Sequence, residues 1–354
     1  MSDERVEYIE INGRRIGAGY PVYVVAEMSA NHNHRYDDAV RIIHAAKEAG
    51  ADAVKLQTYT PDTMTIKSEK AAFKLPSANT WGGMTLWELY DKASTPWEWQ
   101  PKLKEVADEL AIDLFSTPFD TTAVTFLEEL GMPAYKIASF EVMDLPLLRV
   151  VAATGKPMIV STGMASLHQI DEAVSTIRSA GLNNLILLRC ASAYPAPPEA
   201  LNLRTIPHMA EAFGVPVGFS DHSLGIAASV AAVAFGACLV EKHFTLSRKG
   251  EGPDSAFSLE PHELKALVAS VRVAEKAIGT VSYGPSEAER GNSVFQRSLF
   301  FVEDIAAGAL LTAENVRSIR PGIGLAPRYY DEVLGRRAAR DIERGTPVDW
   351  ALVS

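Results

Sequence analysis

Eight short apolar runs recur along the chain, at 23–29, 53–59, 113–119, 135–139, 157–163, 185–190, 216–222 and 237–244. They are apolar at nearly every position, not at alternate ones, which is the pattern of strands buried on both faces of a parallel sheet. Between them, segments 37–49, 97–110, 121–130, 166–180 and 225–235 carry apolar residues at three- and four-residue spacing and predict amphipathic helices. A longer helix, 261–278, is predicted after the last run. Gly50, Gly131, Gly181 and Gly236 stand where helices would end, as left-handed caps require. Eight strands, each followed by a helix or by a loop able to hold one, within about 250 residues, is the count for a closed (β/α)8 TIM barrel. An open doubly wound sheet is the alternative. No Gly-x-Gly-x-x-Gly follows the first run, which weighs against it.

The pattern changes beyond the barrel. Residues 280–296 are rich in Gly, Pro, Ser and charge and read as a linker between a catalytic domain, 1–279, and a small domain, 297–354. The small domain has strand-like runs at 298–302 and 317–319. It also repeats a phrase: Glu303-Asp304-Ile305-Ala306-Ala307-Gly308, then Arg340-Asp341-Ile342-Glu343-Arg344-Gly345. The 60–96 stretch, polar with scattered aromatics, reads either as a lid or as an ordered surface excursion.

Composition narrows the function classes. The 354 residues carry 34 Lys plus Arg against 44 Asp plus Glu, a net charge of -10, which argues against nucleic-acid or anionic-membrane partners. A local basic pocket for a small anion stays open. Cys190 and Cys238 are too few and too far apart for a disulfide framework and read as buried thiols. The charged amino terminus and the lack of any run of about 18 apolar residues predict a soluble, cytoplasmic protein.

The chemistry concentrates at the carboxyl ends of the strands. Two consecutive strands end in Ser220-Asp221-His222 and Glu241-Lys242-His243. Parallel neighbours lie about 4.8 Å apart, close enough for two imidazoles to share one metal ion. The alternative is that each histidine is simply a hydrogen-bonded residue at a strand end. The other strand ends add Glu27, Ser29 and Asn31; Lys55, Gln57 and Thr58; Ser116, Thr117 and Asp120; Lys136 and Ser139; Ser161 and Thr162; Ser192 and Tyr194, all expected at one mouth. Lys55 and Lys136 lie inside apolar strands, where an unpaired ammonium is costly. Either each lysine pairs with an acid, or the two, with the surrounding hydroxyls, cradle a phosphate or carboxylate. A metal pair beside an anion cradle describes a site for a small phosphorylated substrate.

The phrases Ala26-Glu27-Met28-Ser29-Ala30-Asn31-His32-Asn33, Lys55-Leu56-Gln57-Thr58, Phe115-Ser116-Thr117-Pro118-Phe119, Tyr135-Lys136-Ile137-Ala138-Ser139, Ser161-Thr162-Gly163-Met164, Ser220-Asp221-His222, Glu241-Lys242-His243-Phe244 and Gly252-Pro253-Asp254 resemble the sialic acid synthase family in order and spacing. The tail resembles that family's antifreeze-like domain (SAF, β-clip type), so the likeness spans nearly the whole chain. Met28-Ser29 stands where the N-acetylneuraminate branch usually has Ile-Gly, and Ser192 where it has Asn. These positions and Ser192-Ala193-Tyr194-Pro195-Ala196-Pro197 look more like the branch that makes pseudaminic acid.

The resemblance implies an enzyme that condenses phosphoenolpyruvate with an open-chain, N-acetylated amino sugar, using a divalent ion (Mn, Mg or Co) on His222 and His243. It implies that Lys55, Lys136, Ser139, Ser161 and Ser220 hold phosphate and carboxylate. Glu27 would act as base or hydroxyl anchor, Asp254 would hold a sugar hydroxyl or water, and Gln57, Thr117, Ser192 and Tyr194 would complete the substrate wall. It further implies a homodimer with exchanged tails, Arg320 of one chain reaching the other's barrel. Three rivals remain: a metal-dependent aldolase or hydrolase, a non-enzymatic sugar-binding or structural protein, and a sister synthase making legionaminic acid, N-acetylneuraminate or a spore-coat sugar.

Overall fold

The computed structural model describes residues 6–76, 81–250 and 252–354. It forms two compact units, Met1–Gly279 and Thr280–Ser354. The first opens with a hairpin of β1, Tyr8–Ile11, and β2, Arg14–Gly17. Eight parallel strands follow: β3 (Tyr23–Glu27), β4 (Ala53–Thr58), β5 (Asp113–Pro118), β6 (Tyr135–Ile137), β7 (Met158–Ser161), β8 (Leu185–Cys190), β9 (Val217–Asp221) and β10 (Leu239–His243). They close into a barrel in the order β10-β3-β4-β5-β6-β7-β8-β9, so the open doubly wound alternative is excluded. The seam is a five-residue register running from Leu239 opposite Tyr23 to His243 opposite Glu27.

All eight strands fall within the apolar runs that predict them. Two barrel helices, Leu145–Ala152 and Thr205–Phe213, lie where the sequence indicates only loops able to hold one. Each is short and has a proline in its first turn, a position that helices tolerate but that interrupts an apolar period. The outer helices pack on the barrel through one large cluster that includes Ile42, Ile43, Leu103, Leu127, Leu148, Val174 and Leu267. None of the described helices is long and apolar enough to cross a membrane.

The inner residues of the lower barrel, among them Val25, Phe115, Ile159, Leu188 and Leu239, form a separate cluster with Ile9, Ile11 and Ile16 of the hairpin. The hairpin therefore plugs the amino-terminal end. Its turn is Asn12-Gly13, both at positive φ (47° and 78°), the conformation that turns a two-residue hairpin with the natural strand twist. Asn12 Nδ2 donates to Asp113 Oδ1 at 2.7 Å, and Arg14 pairs with Asp52, fixing the plug to the feet of β5 and β4. The signal Ile-x-Ile-Asn-Gly-x-x-Ile was present in the sequence, masked by the charge of the residues around it.

After β4 the chain makes its excursion through two short helices, Pro61–Met64 and Leu86–Ala93, each started by a capping box, Thr60 with Thr63 and Thr85 with Glu88. Residues 77–80 of the excursion lie outside the described ones. Trp81 Nε1 donates to Pro253 O at 3.0 Å and Trp97 Nε1 to Tyr59 O at 3.1 Å, so the excursion is tied to the barrel as built structure.

In the second unit β11 (Ser298–Phe301) pairs antiparallel with β12 (Val316–Ile319) over a core of Leu299, Phe301, Ile305, Leu311, Val316, Ile342 and Val348. The repeated phrases face each other. Ile305 and Ile342 exchange both backbone hydrogen bonds, at 2.8 and 2.9 Å. Asp341 accepts from the Ala307 N–H and Asp304 from the Arg344 N–H, each at 2.7 Å. A short duplication thus builds a local two-fold that lets a small core close. Residues Glu287–Phe295, in the segment that reads as linker, form a run of 3-10 turns started by Ser286 and Glu289.

The plug generates a test. Ile11→Ala should cost about 2–5 kcal/mol of stability, the usual range for emptying a fully buried aliphatic site. The denaturation midpoint should fall while turnover per folded molecule is retained, because the plug lies at the barrel end away from the mouth.

Candidate active site

Inside the barrel, alternation along each strand stacks the inward residues in layers. Above the apolar layers sits a charged one: Glu27 on β3, Lys55 on β4, Lys136 on β6 and Glu241 on β10, none more than 4% exposed. Lys55 Nζ lies 2.9 Å from Glu27 Oε2 and 3.3 Å from Glu241 Oε1, while Lys136 Nζ lies 3.6 Å from the same Glu241 oxygen. Lys136 Nζ also donates to Ser161 Oγ at 2.7 Å, and Lys55 Nζ to Thr117 Oγ1 at 3.3 Å. The lysines are therefore paired with acids and also aimed, through hydroxyls, at the mouth.

Burial lifts the Glu27 carboxyl above its usual range, against the pull of Lys55. Burial acts on Glu241 in the same direction, but Lys136 and Lys55 outweigh it and hold that carboxyl below the usual range. Burial also depresses Lys136. Two carboxylates thus balance two ammonium groups, and the layer brings no net positive charge of its own.

The next layer carries His222 and His243, with ring centres 5.4 Å apart. His222 Nδ1 lies 2.9 Å from Ala191 O and donates to it, and Nε2 lies 3.5 Å from Ser220 Oγ; burial works to lower the pKa of this imidazole, but its contact with Cys190 and the Ala191 carbonyl raise it. His243 is held neutral by burial and by the positive groups around it. Its Nδ1 is buried with no hydrogen-bond partner among the described residues, as is Glu241 Oε2, two residues back on the same strand. The two imidazoles and the unsatisfied Glu241 oxygen are ligands of the type a divalent cation takes, although no three ligand atoms there lie within 4.8 Å of one another. Among the described residues Glu260, His262 and Glu263 do converge, but there the carboxylates are taken up by Arg248 and by the start of helix Pro261–Ile278.

Asp254 closes this side from the loop after β10. Its Oδ2 accepts from Ser29 Oγ and lies 3.8 Å from His243 Nδ1. Ser29 has a left-handed backbone, φ 46°, a conformation that glycine adopts freely and that serine reaches only at a cost. Its hydroxyl also accepts from Gln57 Nε2 at 3.1 Å, and Gln57 donates in turn to Glu27 Oε1 at 2.9 Å. Asn31 holds the loop by donating to Phe244 O and Ser258 Oγ, both at 2.9 Å, and Gly252 lets it pass, since a Cβ there would come within 2.7 Å of Asn33 Oδ1 and Ser255 Oγ. These contacts give the Ser-Ala-Asn-His-Asn phrase a physical task.

A cavity of about 230 Å³ is bounded by Glu27, Lys55, Gln57, Lys136, Ser139, Ser161, Tyr194, Ser220, His222, His243 and Asp254, all residues that the sequence nominates. Thr117 and Ser192 sit just behind the wall, Thr117 under Lys55 and Ser192 on Ser139 Oγ at 2.8 Å. Gly163 leaves room for that serine pair, since a Cβ would fall 2.2 Å from Ser192 Oγ. Arg320 belongs to the second unit and is exposed.

Besides Asn31, which holds the loop after β10, five strand-end residues expected at the mouth do not face it. Asp221 lies between inward Ser220 and His222, so the period of two turns it outward, where it binds Lys242 Nζ at 2.8 Å and Ser229 Oγ at 2.6 Å. Thr58 and Ser116 share a 2.6 Å hydrogen bond beside Gln100, and Thr162 bonds Leu188 O at 3.0 Å, all for the same reason. Asp120 instead caps helix Thr121–Glu129.

The sequence places Glu241 at the mouth as a carboxylate beside His243 but gives it no partner, reads Cys190 only as a buried thiol, and gives no role to Glu141; all three line the cavity. Glu241 was legible, two residues before His243 on a strand. Glu141 was not, because it lies in a loop that only the fold carries to the mouth. Its Oε2 is buried without a partner, and burial, opposed in part by Lys136, pushes its carboxyl from 4.5 up to about 7.

Fold and site together define a (β/α)8 barrel with a polar, charge-balanced cavity at its carboxyl mouth. The model of the NeuB family matches residues 42–283 and that of the SAF domain 296–354. The chain belongs to the NeuB family. It is 44% identical to the pseudaminic acid synthase of Campylobacter jejuni over 324 residues, 92% of this chain and 94% of that one. It is 42% identical to the pseudaminic acid synthase of Helicobacter pylori over 330 residues, covering 93% and 96%. The crystal structure of an N-acetylneuraminic acid synthetase from Leptospira borgpetersenii superposes with a TM-score of 0.72 at 32% identity, covering 80% of this chain and 94% of that one.

Glu141 supplies a pH test. With its carboxyl raised from 4.5 to about 7, the folded chain keeps a proton that the unfolded chain has released, so this group costs stability increasingly as pH rises through that window. Glu141→Gln should therefore raise stability at pH 8 by up to about 3 kcal/mol and change it little at pH 5. Thermal unfolding at the two pH values checks it.

Proposed function

We propose that this chain is a synthase that condenses phosphoenolpyruvate with 2,4-diacetamido-2,4,6-trideoxy-L-altrose and water to give pseudaminic acid and phosphate. Carbon 3 of the enol phosphate attacks the sugar aldehyde, water adds at carbon 2, and the tetrahedral product of that addition loses phosphate by carbon–oxygen cleavage. The observation that carries this reading is a charge-balanced Lys–Glu layer under an imidazole pair with orphaned acceptors, in a chain at 44% identity to a pseudaminic acid synthase.

Lys55 and Lys136 face the phosphate and carboxylate, with the Ser139, Ser161 and Ser220 hydroxyls as donors. Because Glu27 and Glu241 already balance the lysines, an anion of charge about −3 needs further positive charge. A divalent cation, Mn, Mg or Co, is assigned to His222 and His243. When bound, it supplies that charge and Lewis acidity toward the aldehyde oxygen. Glu27, held by Lys55 and Gln57, anchors a sugar hydroxyl or takes its proton. Asp254 takes a hydroxyl or water, and Gln57, Thr117, Ser192 and Tyr194 shape the wall. The reaction is assigned to the cytoplasm, where phosphoenolpyruvate is made.

The oligomer is assigned by the same reading as a homodimer with exchanged tails. Arg320 stands on the turn after β12, its guanidinium 5.9 Å from the Phe295 ring centre, and presents a planar fork suited to an acyl oxygen on the partner's substrate. The sister activities, legionaminic acid, N-acetylneuraminate or spore-coat sugar synthesis, are outcomes of the substrate panel.

The reading is tested by phosphate release with phosphoenolpyruvate and a panel of 2-acetamido and 2,4-diacetamido hexoses, with product mass as readout. Release with none of them would remove it. His222→Ala and His243→Ala should each abolish turnover in a folded barrel, and chelation of the wild type should be reversed by Mn²⁺, Mg²⁺ or Co²⁺; full activity in chelator would refute the metal. Lys136→Met should weaken phosphoenolpyruvate at least about tenfold and also destabilise the fold, because it leaves Glu241 short of a partner. Adding Glu241→Gln should restore stability without restoring phosphoenolpyruvate binding, which separates the two roles. For the tails, mixed dimers of Arg320→Ala and His222→Ala chains should regain one working site. Confirmed heterodimers that stay inactive would exclude exchange.

A further inference from the structure

The cavity has two unlike sides. Ser139, Ser161, Lys136 and Glu141 line one, from the loops and ends of β6 and β7. The other, built by the end of β4, its excursion and the end of β5, presents Tyr59, Met64, Leu89, Tyr90, Ala93 and Phe119. The Tyr59 ring packs edge-on against Tyr90 at 5.6 Å and Phe119 at 5.2 Å. Met64, Leu89, Tyr90 and Ala93 ride on the two helices begun by capping boxes, so this face is fixed by short-range hydrogen bonds before any ligand arrives. The same elements bring Gln57 and Trp81 to the cavity, but Gln57 Nε2 already donates to Glu27 and Ser29 and Trp81 Nε1 to Pro253 O, so beyond them the face offers a hydroxyl only the two phenol groups. A hydroxyl buried against its aliphatic part forfeits its hydrogen bonds to water, whereas a methyl gains by being covered.

We infer that this face is the specificity subsite for the apolar substituents of the sugar. It takes up the acetamido methyl and the carbon-6 methyl of a deoxygenated, diacylated hexose, and it discriminates against hexoses that carry a hydroxyl at carbon 6. The inference rests on the synthase reading above and adds the residues that choose the acceptor. The excursion, which the sequence leaves open between a lid and a surface ornament, is on this view a fixed wall of the substrate pocket.

The experiment uses the full chain with phosphoenolpyruvate and two acceptors that differ only at carbon 6, 2,4-diacetamido-2,4,6-trideoxyhexose and its 6-hydroxy counterpart. Wild-type kcat/KM should favour the deoxy sugar by about tenfold to a hundredfold, the range an apolar pocket gives for one such group. Leu89→Asn and Met64→Gln should raise KM for the deoxy sugar at least about tenfold and shrink that preference. They should leave the phosphoenolpyruvate KM within about twofold, because that ligand is assigned to the other side. The conservative Leu89→Met is the control and should keep the preference; Leu89→Ala or Met64→Ala replaces a polar variant that fails to fold and should shrink the preference. No turnover with any acceptor would overturn the synthase reading and this inference with it. Turnover with equal kcat/KM for both sugars, or a preference untouched by the polar or alanine changes at Leu89 and Met64, would overturn the inference alone.

Discussion

The interaction on which the site depends is the buried exchange of charge among Lys55, Glu241, Lys136 and Glu27. Four ionised groups in the interior of a barrel are tolerable only because each finds an opposite charge within 3.6 Å and hydroxyls or amides take up further hydrogen bonds. That condition sets the positions of the strands that carry them, β3, β4, β6 and β10, and places one buried carboxylate oxygen of Glu241 where no described residue satisfies it. The layer is a floor with balanced charge and an unsatisfied buried carboxylate oxygen, beneath the cavity to which substrate and cation are assigned above.

Around that floor the polypeptide divides its work by direction. Inward positions on alternate residues carry chemistry, and the residues between them carry support. The Asp221–Lys242 pair, less than 2% exposed, lies on the outer face of the two strands that present His222 and His243 on the inner face. The hairpin plug supports the floor from below through Ile9, Ile11 and Ile16. From above, the loop after β10 brings Asp254 onto Ser29, whose left-handed backbone is accepted because its hydroxyl bridges Gln57 and Asp254. Unsatisfied atoms of Glu27, Glu141, Glu241 and His243 line the mouth beside left-handed Ser29, whereas those of Gln100 and Asp120 lie outside the cavity.

The second unit solves a different problem. A core this small needs local order, and it obtains it by placing two copies of one phrase against each other, Asp304 and Asp341 each bonding the backbone of the other copy. Sequence repetition is here a structural device with no catalytic content of its own, and it leaves the exposed turn at Arg320 free for the role assigned to it.

The eight strands, most of the helices and thirteen of the residues lining the cavity were legible in the sequence, because a buried parallel strand declares itself by continuous apolar character and polar residues at its end have few other reasons to be there. What the sequence could not decide was direction and company. Thr58, Ser116, Thr162 and Asp221 sit at strand ends like the site residues, yet the register turns them toward the helices, and one residue of slip would have exchanged the two sets. Whether the lysines stand alone or with acids depends on which strands are neighbours across the barrel, so Glu241 between Lys55 and Lys136 emerges only on closure. Glu141 comes from a loop, and the Met64–Leu89–Tyr90 face from two helices too short to declare a period; their place at the mouth is a consequence of how the strands are ordered around the ring. The sequence alone determined which residues have chemistry to offer. Tertiary structure decided which of them meet, because a side chain's electrostatic environment is set by contacts between segments far apart in the chain.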